Sequence, residues 1–224
     1  MPSMEIALRA GQTALGLTLS DAQVARLLTY QALIQKWTKV YNLTAVRDAQ
    51  EMLTHHLLDS LAVIKPLRQQ LLACGATPKI DLLDVGSGAG LPGVVIAICC
   101  PDIAVDCVDT VAKKAAFIQQ VALTLKLPNL RGVHARVENL TGKYQVICSR
   151  AFASLGDFTN WSAAALAEQG IWLAIKGKYP ADEIAELSPS AKVFHVEQLQ
   201  VPGLAAERCI VWLRSSDLTN RAVT

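Results

Sequence analysis

The feature that most constrains this chain is an apolar run at residues 80–85 that breaks off into glycines: Asp84-Val85-Gly86-Ser87-Gly88-Ala89-Gly90-Leu91-Pro92-Gly93. A short, nearly continuous apolar run suits a strand buried on both faces, and such strands belong to sheets covered by helices on either side. Residues 103–108 repeat the pattern, and 112–125 then carry helical periodicity. Further strands are expected at 130–134, 144–149, 171–175, 192–199 and 209–213, with helices at 155–167 and 181–187. Strands alternating with helices mean a mainly parallel, doubly wound α/β sheet. No helix separates the last two strands, so an antiparallel pair joined by a loop at 201–207 is expected there.

The amino-terminal third reads as helical. Ser20 and Gln23 have the spacing of a capping box, and Val24, Leu27, Leu28, Gln31, Ile34 and Trp37 follow at three- and four-residue steps. Asp48 and Glu51 start a second helix, carried by Met52, His55, Leu58, Leu61 and Val63 towards Pro66, with 40–44 as a non-helical linker. The expected organisation is a helical cap at 1–70, a sheet domain at 71–215 and a short tail at 216–224, forming one compact unit.

Composition narrows the class. With 52% hydrophobic and 18% charged residues over 224, the chain can bury a full core and is not a disordered segment. Its six cysteines (Cys74, Cys99, Cys100, Cys107, Cys148 and Cys209) include no CxxC pair, which reads as reduced, buried thiols rather than disulfides or a metal site. The start of the chain lacks a signal-peptide pattern, and the longest apolar run, 93–100, is too short to span a bilayer. A cytoplasmic monomer with no membrane partner is the expectation. The formal net charge of +2 is too small to demand a nucleic acid by itself.

Two cofactor classes exploit a glycine turn of this kind. Gly88, Gly90 and Gly93 satisfy the GxGxxG of a nicotinamide dinucleotide site, a weak signal alone. An S-adenosyl-L-methionine site wants an acidic residue, an apolar residue and alternating glycines, and Asp84, Val85, Gly86, Gly88 and Gly90 supply all of these. A carboxylate at the strand end suits the cationic amino group of methionine and would repel a pyrophosphate. Asp109, at the end of the next strand, is placed to accept ribose hydroxyls in either class. The methyl donor is favoured. A nicotinamide-dependent oxidoreductase stays open as the alternative, although no catalytic Tyr/Lys or His dyad stands out. A non-catalytic protein on the same fold, binding RNA or sensing the methyl donor, also stays open.

Taken together, the glycine loop 84–93, Tyr41-Asn42-Leu43-Thr44, His56-Leu57-Leu58-Asp59-Ser60 and Ser149-Arg150-Ala151-Phe152-Ala153-Ser154 resemble the bacterial RsmG (GidB) family across about residues 20–213. Ala174-Ile175-Lys176-Gly177 and Glu207-Arg208 resemble family positions as well. Ser87 and Ala89 stand where threonine and proline are often seen; both are small. The resemblance implies a Rossmann-like class I methyltransferase with an amino-terminal helical extension. It implies methylation of N7 of a guanine, nucleotide 527, in 16S ribosomal RNA of the small ribosomal subunit. It also implies contacts to the methyl donor at Gly86, Leu91, Val137, Glu138 and Arg150, with Tyr41 and Asn42 closing over the donor.

Guanine N7 carries a lone pair and no proton at neutral pH, so its methylation needs alignment and desolvation but no general base. The Asn/Asp-Pro-Pro-aromatic motif common for exocyclic amines is absent; Ser149-Arg150-Ala151-Phe152 stands in its place. Cys148, the only thiol near enough for a pyrimidine-C5 mechanism, lies in an apolar strand and reads as structural. Phe152 is expected to stack on the guanine and Arg150 to bond to the base edge, a phosphate or the methyl donor's carboxylate. Arg136, Arg150, Lys176, Lys178 and Arg208 fall near strand ends, where they would gather as a cluster for the RNA backbone. His55, His56 and Asp59 superficially suggest a metal, but the absence of a third suitably spaced ligand makes a hydrogen-bonded helix the better reading.

Overall fold

The computed structural model describes residues 2–73, 75 and 79–216; Cys74 and all of the expected tail beyond 216 lie outside the described residues. Seven strands, β1 Ile80–Val85, β2 Ile103–Asp109, β3 Leu130–His134, β4 Tyr144–Arg150, β5 Leu166–Lys176, β6 Ala191–Gln198 and β7 Cys209–Ser215, form one sheet. The order is β3-β2-β1-β4-β5-β7-β6. The first five strands pair in parallel, and β7 runs antiparallel to both β5 and β6. Strand order reverses at β1, which pairs with β2 on one side and β4 on the other. In open α/β sheets such a switch point opens a crevice at the carboxyl ends of the strands.

Side chains alternate between two apolar layers. Leu82, Val105, Val146 and Leu173 pack with Leu27, Tyr30, Leu57, Ile96 and Ile118, so the amino-terminal helices share a core with one face of the sheet. Leu83, Val85, Val108 and Trp172 pack on the other face with Leu155 and Phe158. The helices are α1 Pro2–Ala14, α2 Asp21–Tyr41, α3 Ala49–Met52, α4 Asp59–Leu61, α5 Ile64–Ala73, α6 Gly93–Cys99, α7 Ala112–Leu125, α8 Leu155–Ser162 and α9 Ala181–Ala185. Helix α2 starts as its sequence asks: the Ser20 hydroxyl accepts from Gln23 N–H, and the Gln23 side chain accepts from Ser20 N–H.

Three expectations need correction. Helix α2 runs on through Val40 and Tyr41 and ends at Asn42, whose left-handed φ of 50° caps it, so the linker begins later than expected. The second helix does not stop at Pro66. Instead α3 leads into a π-helical turn, Leu53–Leu58, then α4 and α5, with Pro66 in the first turn of α5, where a missing N–H costs nothing. This segment is buried on nearly all sides, with His55 left exposed, so an amphipathic pattern could not describe it. Finally, α8 ends at Ser162 and β5 already begins at Leu166, within the stretch expected to be helix. Leu166 pairs with Tyr144 across a register shift, and polar Glu168-Gln169 hides the strand pattern there. Gly170 fits this irregularity: a Cβ on it would lie 2.8 Å from Leu166 and 2.9 Å from the Tyr144 carbonyl.

Candidate active site

A cavity of about 390 Å³ lies at the carboxyl ends of β1 to β4. Val85 and Gly86 from β1, Val108 and Asp109 from β2, and Val137 and Glu138 from the turn after β3 line it. Phe152, beyond β4, and Trp161, on α8, close the opposite wall, their rings edge to face at 5.8 Å. The volume falls in the range of small-molecule sites, about 300–1,000 Å³, and the lining mixes apolar walls with a few polar groups.

The glycine loop owes its course to backbone conformations that only glycine adopts cheaply. Gly86 has a φ of 65°, and a Cβ there would stand 2.2 Å from Phe152 Cδ2. The N–H groups of Gly86 and Ser87 donate to the Val108 carbonyl at 3.0 and 3.2 Å, locking the loop to β2. Asp109 accepts the Gly88 N–H at 3.0 Å and the Val111 N–H at 2.9 Å, and Lys114 Nζ lies 3.4 Å away. From the cap, the buried Tyr30 hydroxyl donates to the Ala89 carbonyl at 2.6 Å. The loop is thus braced from two directions, by the sheet and by α2.

Asp84 is not among the residues lining the cavity. It is fully buried on the face shared with the cap, where one oxygen accepts the Gly93 N–H at 2.9 Å and Oδ1 has no hydrogen-bond partner. Burial pushes its carboxyl up to about 7, although the Gly93 N–H and the charge of Arg150 pull the other way. Gly88, Gly90 and Leu91 are also not among the lining residues; Gly88 reaches the cavity only through its bond to Asp109, and Gly90 abuts Val94 and Tyr30. Tyr41 and Asn42 are likewise absent from the lining. The Tyr41 ring packs on Trp37 at 5.1 Å and lies under Lys113 Nζ at 5.3 Å, and Asn42 accepts from Arg47 at 2.8 Å.

Beyond β4 the chain turns through Ala151, whose φ of 50° is unusual for a side-chain-bearing residue. Phe152 goes to the cavity, whereas Arg150 goes to Asp59, with Nη1 2.8 Å from Oδ2. Arg208 Nε joins the same carboxylate at 2.9 Å. Lys176 is not a free surface cation: Nζ bonds to the Ala153 carbonyl at 2.9 Å and to Glu183 at 2.7 Å, and Glu183 also accepts the Leu155 N–H at 2.6 Å. It braces the Phe152 loop. Arg136 borders the cavity and is exposed, as is Lys178. The five expected basic residues therefore divide into an Asp59-bound pair, one internal brace and two solvent-facing cations.

Sequence reasoning did not single out Tyr30, Trp161 or Glu183, and it set Asp59 aside with its neighbouring histidines. Tyr30 and Trp161 lie inside helices with nothing local to mark them. Asp59 carried a signal, being the one acidic residue between Glu51 and Asp81. His56 Nε2 meets Thr44 Oγ1 at 2.8 Å. Cys107 and Cys148 are both fully buried, and burial raises both thiols well above their ordinary range, which leaves them unsuited to nucleophilic attack. No helix among the described residues is long and apolar enough to cross a membrane.

Comparison with known proteins gives a concordant result. The GidB family model, described as rRNA small subunit methyltransferase G, matches residues 23–211. A protein from Polaromonas sp. strain JS666 named ribosomal RNA small subunit methyltransferase G is 70% identical over 207 residues, covering 92% of each chain. One of the same name from Albidiferax ferrireducens is 69% identical over 222 residues, covering 96% of this chain and 99% of that one. Among solved structures, TrmN from Thermus thermophilus is similar with a TM-score of 0.54 at 20% identity, over 69% of this chain and 48% of that one. Magnesium protoporphyrin IX methyltransferase (ChlM) from Synechocystis PCC 6803 with bound SAM gives 0.55 at 14% identity, over 88% and 97%. At such identities these likenesses speak for the fold alone: a Rossmann-like methyltransferase sheet.

Proposed function

The chain belongs to the rRNA small subunit methyltransferase G family, and from that premise we propose that it transfers a methyl group from S-adenosyl-L-methionine to N7 of a guanine, nucleotide 527, in 16S ribosomal RNA. The observation that carries the reading is the cavity at the switch point. It combines the backbone of Gly86, a carboxylate at the end of β2 and an apolar wall after β3 and β4.

The residues present fit the methyl donor. The Asp109 carboxylate faces the cavity and would accept ribose hydroxyls, while the backbone of Val137 and Glu138 would meet the adenine. A side chain on Gly86 would strike Phe152, so this glycine lets the aromatic ring close against the loop at the cavity edge. Leu91, Gly88 and Gly90 act by shaping the loop. Asp84, buried away from the cavity, would serve the donor indirectly, by holding the Gly93 N–H at the end of the glycine loop. When bound, the donor supplies an electrophilic methyl on a sulfonium. The protein's own task is to exclude water and hold the base; Phe152 stacks on the guanine and Arg150 steers it. No residue needs to remove a proton, because N7 has none to lose. Arg136, Lys178 and Arg208 draw in the RNA backbone. A monomer acting in the cytoplasm is the matching form.

The test is incubation of the purified chain with methyl-labelled S-adenosyl-L-methionine and small subunits from cells lacking the modification. Label in 16S ribosomal RNA is expected. Donor binding without labelled RNA would turn the reading to a sensor, and binding of a nicotinamide dinucleotide instead would overturn it.

A further inference from the structure

Tyr41 closes α2 outside the donor cavity, and its ring is anchored rather than loose. It packs on Trp37 at 5.1 Å, and Trp37 packs in turn on Phe117 of α7 at 5.2 Å. Phe117 is fully buried, Trp37 half-buried and Tyr41 still 43% exposed, so the three rings lead from the core to the surface. The backbone beneath is fixed as well: Asn42 caps α2 in the left-handed region and accepts from Arg47 at 2.8 Å. A ring held in this way has little freedom left to lose when a ligand lies on it.

The surroundings of that ring are positive. Lys113 Nζ stands 5.3 Å from its centre, and Arg47 rests on the neighbouring Asn42. Neither cation makes an ion pair among the described residues. The acids at hand are engaged by backbone: Asp48 accepts the N–H groups of Gln50 and Glu51, and Asp109 those of Gly88 and Val111. Val111, itself 44% exposed, and Lys114 line the donor cavity, so the patch continues from its rim. An exposed aromatic among unpaired cations suits single-stranded nucleic acid, whose bases stack and whose phosphates attract cations. It suits the methyl donor poorly, because the sulfonium and ammonium of the donor would meet like charges there.

We propose that Tyr41, with Lys113 and Arg47 beside it, is a docking platform for one unpaired base of the substrate RNA next to the target guanine. The base stacks on the Tyr41 ring, and its phosphate takes the two cations. Lys113 is a point charge on a flexible stem, so its ammonium can leave the ring for that phosphate as the base arrives. The inference rests on the RNA methyltransferase reading above and gives the substrate a second foothold outside the donor cavity.

Full-length wild type, Tyr41→Leu, Tyr41→Phe, Lys113→Gln and Lys113→Arg are compared for binding to small subunits over a range of salt. Calorimetric Kd values for S-adenosyl-L-methionine, methyl transfer and melting temperatures are measured alongside. Tyr41→Leu keeps an apolar side chain on Trp37 but no ring to stack. It is expected to raise the subunit Kd about tenfold and to leave the donor Kd within about twofold. Tyr41→Phe, which keeps the ring, should regain most of the lost affinity. Lys113→Gln is expected to lower the slope of log Kd against log salt by about one, and Lys113→Arg to restore it. A melting temperature that falls in Tyr41→Leu while subunit affinity holds would mark a merely structural contact and overturn the proposal. So would a donor Kd that rises about tenfold with subunit affinity unchanged, which would assign Tyr41 to the donor. Tyr41→Phe binding no better than Tyr41→Leu would also overturn it, since the hydroxyl and not the ring would then be the contact. A wild type that neither binds nor methylates the subunit would defeat the parent reading, and the proposal with it.

Discussion

Replacing Asp84 with asparagine should remove the pH dependence of stability that one buried carboxyl contributes. In the folded chain this carboxyl is pushed up to about 7 from its ordinary 3.8, chiefly by complete burial. Between those values the folded state holds a proton that the unfolded state has released. Stability from this group is therefore full below about pH 4 and is lost progressively as pH rises to about 7, above which the loss is constant. The gap of about 3 pH units corresponds to an order of 4 kcal/mol. Asparagine cannot ionise and escapes that loss. It keeps an oxygen for the Gly93 N–H but sets an amide NH₂ where Oδ1 has no partner, which costs about 1–3 kcal/mol. The variant should thus be less stable than wild type near pH 4 and more stable by roughly 1–3 kcal/mol at pH 8. Urea unfolding at both values, with the donor absent, measures the difference. A stability difference independent of pH would refute the placement of an ionisable, solvent-excluded carboxyl at Asp84.

Other perturbations test the loop and its braces. Gly86→Ala forces a Cβ against Phe152 at a positive φ, so affinity for S-adenosyl-L-methionine should fall at least tenfold by calorimetry; an unchanged Kd would show that the loop does not border the donor. Tyr30→Phe leaves the buried Ala89 carbonyl without its partner and should cost about 1–3 kcal/mol in denaturant unfolding, with weaker donor binding; a neutral result would remove the cap as a brace. Lys176→Met should lower kcat by loosening the Phe152 loop while leaving the salt dependence of RNA binding intact. A slope reduced by about one would instead make Lys176 a phosphate contact.

Much of the sheet was legible because buried parallel strands announce themselves as apolar runs: β1 and β3 begin and end where expected. The start of β5 was not, since Glu168 and Gln169 sit in an exposed, irregular stretch where strand and helix patterns do not differ. The segment around Leu53–Leu58 misled for the opposite reason, being buried at every residue except His55, so that no solvent-facing stripe survives. At the site, Gly86, Asp109, Val137, Glu138 and Phe152 meet around one cavity because each lies at or just past the carboxyl end of a strand. What sequence could not supply is direction. Asp84 and Val85 are neighbours, yet strand alternation sends one into the core under the cap and the other to the cavity. Likewise, charge and nearness to strand ends marked Lys176 and Arg208 as RNA ligands, while Glu183 and Asp59 decide what those side chains reach.

The central claim is methyl transfer to N7 of a single guanine, and nucleoside mapping tests it most directly. Small subunits from cells lacking the modification are treated with the purified chain and methyl-labelled donor, and their 16S ribosomal RNA is digested and resolved by mass spectrometry. The account predicts one labelled 7-methylguanosine, at nucleotide 527, and no label on other bases. Label on an exocyclic amine, on a pyrimidine carbon or on ribosomal protein would contradict it, because an amine must lose a proton that N7 does not carry, and a pyrimidine carbon needs a thiolate that the buried Cys107 and Cys148 do not supply.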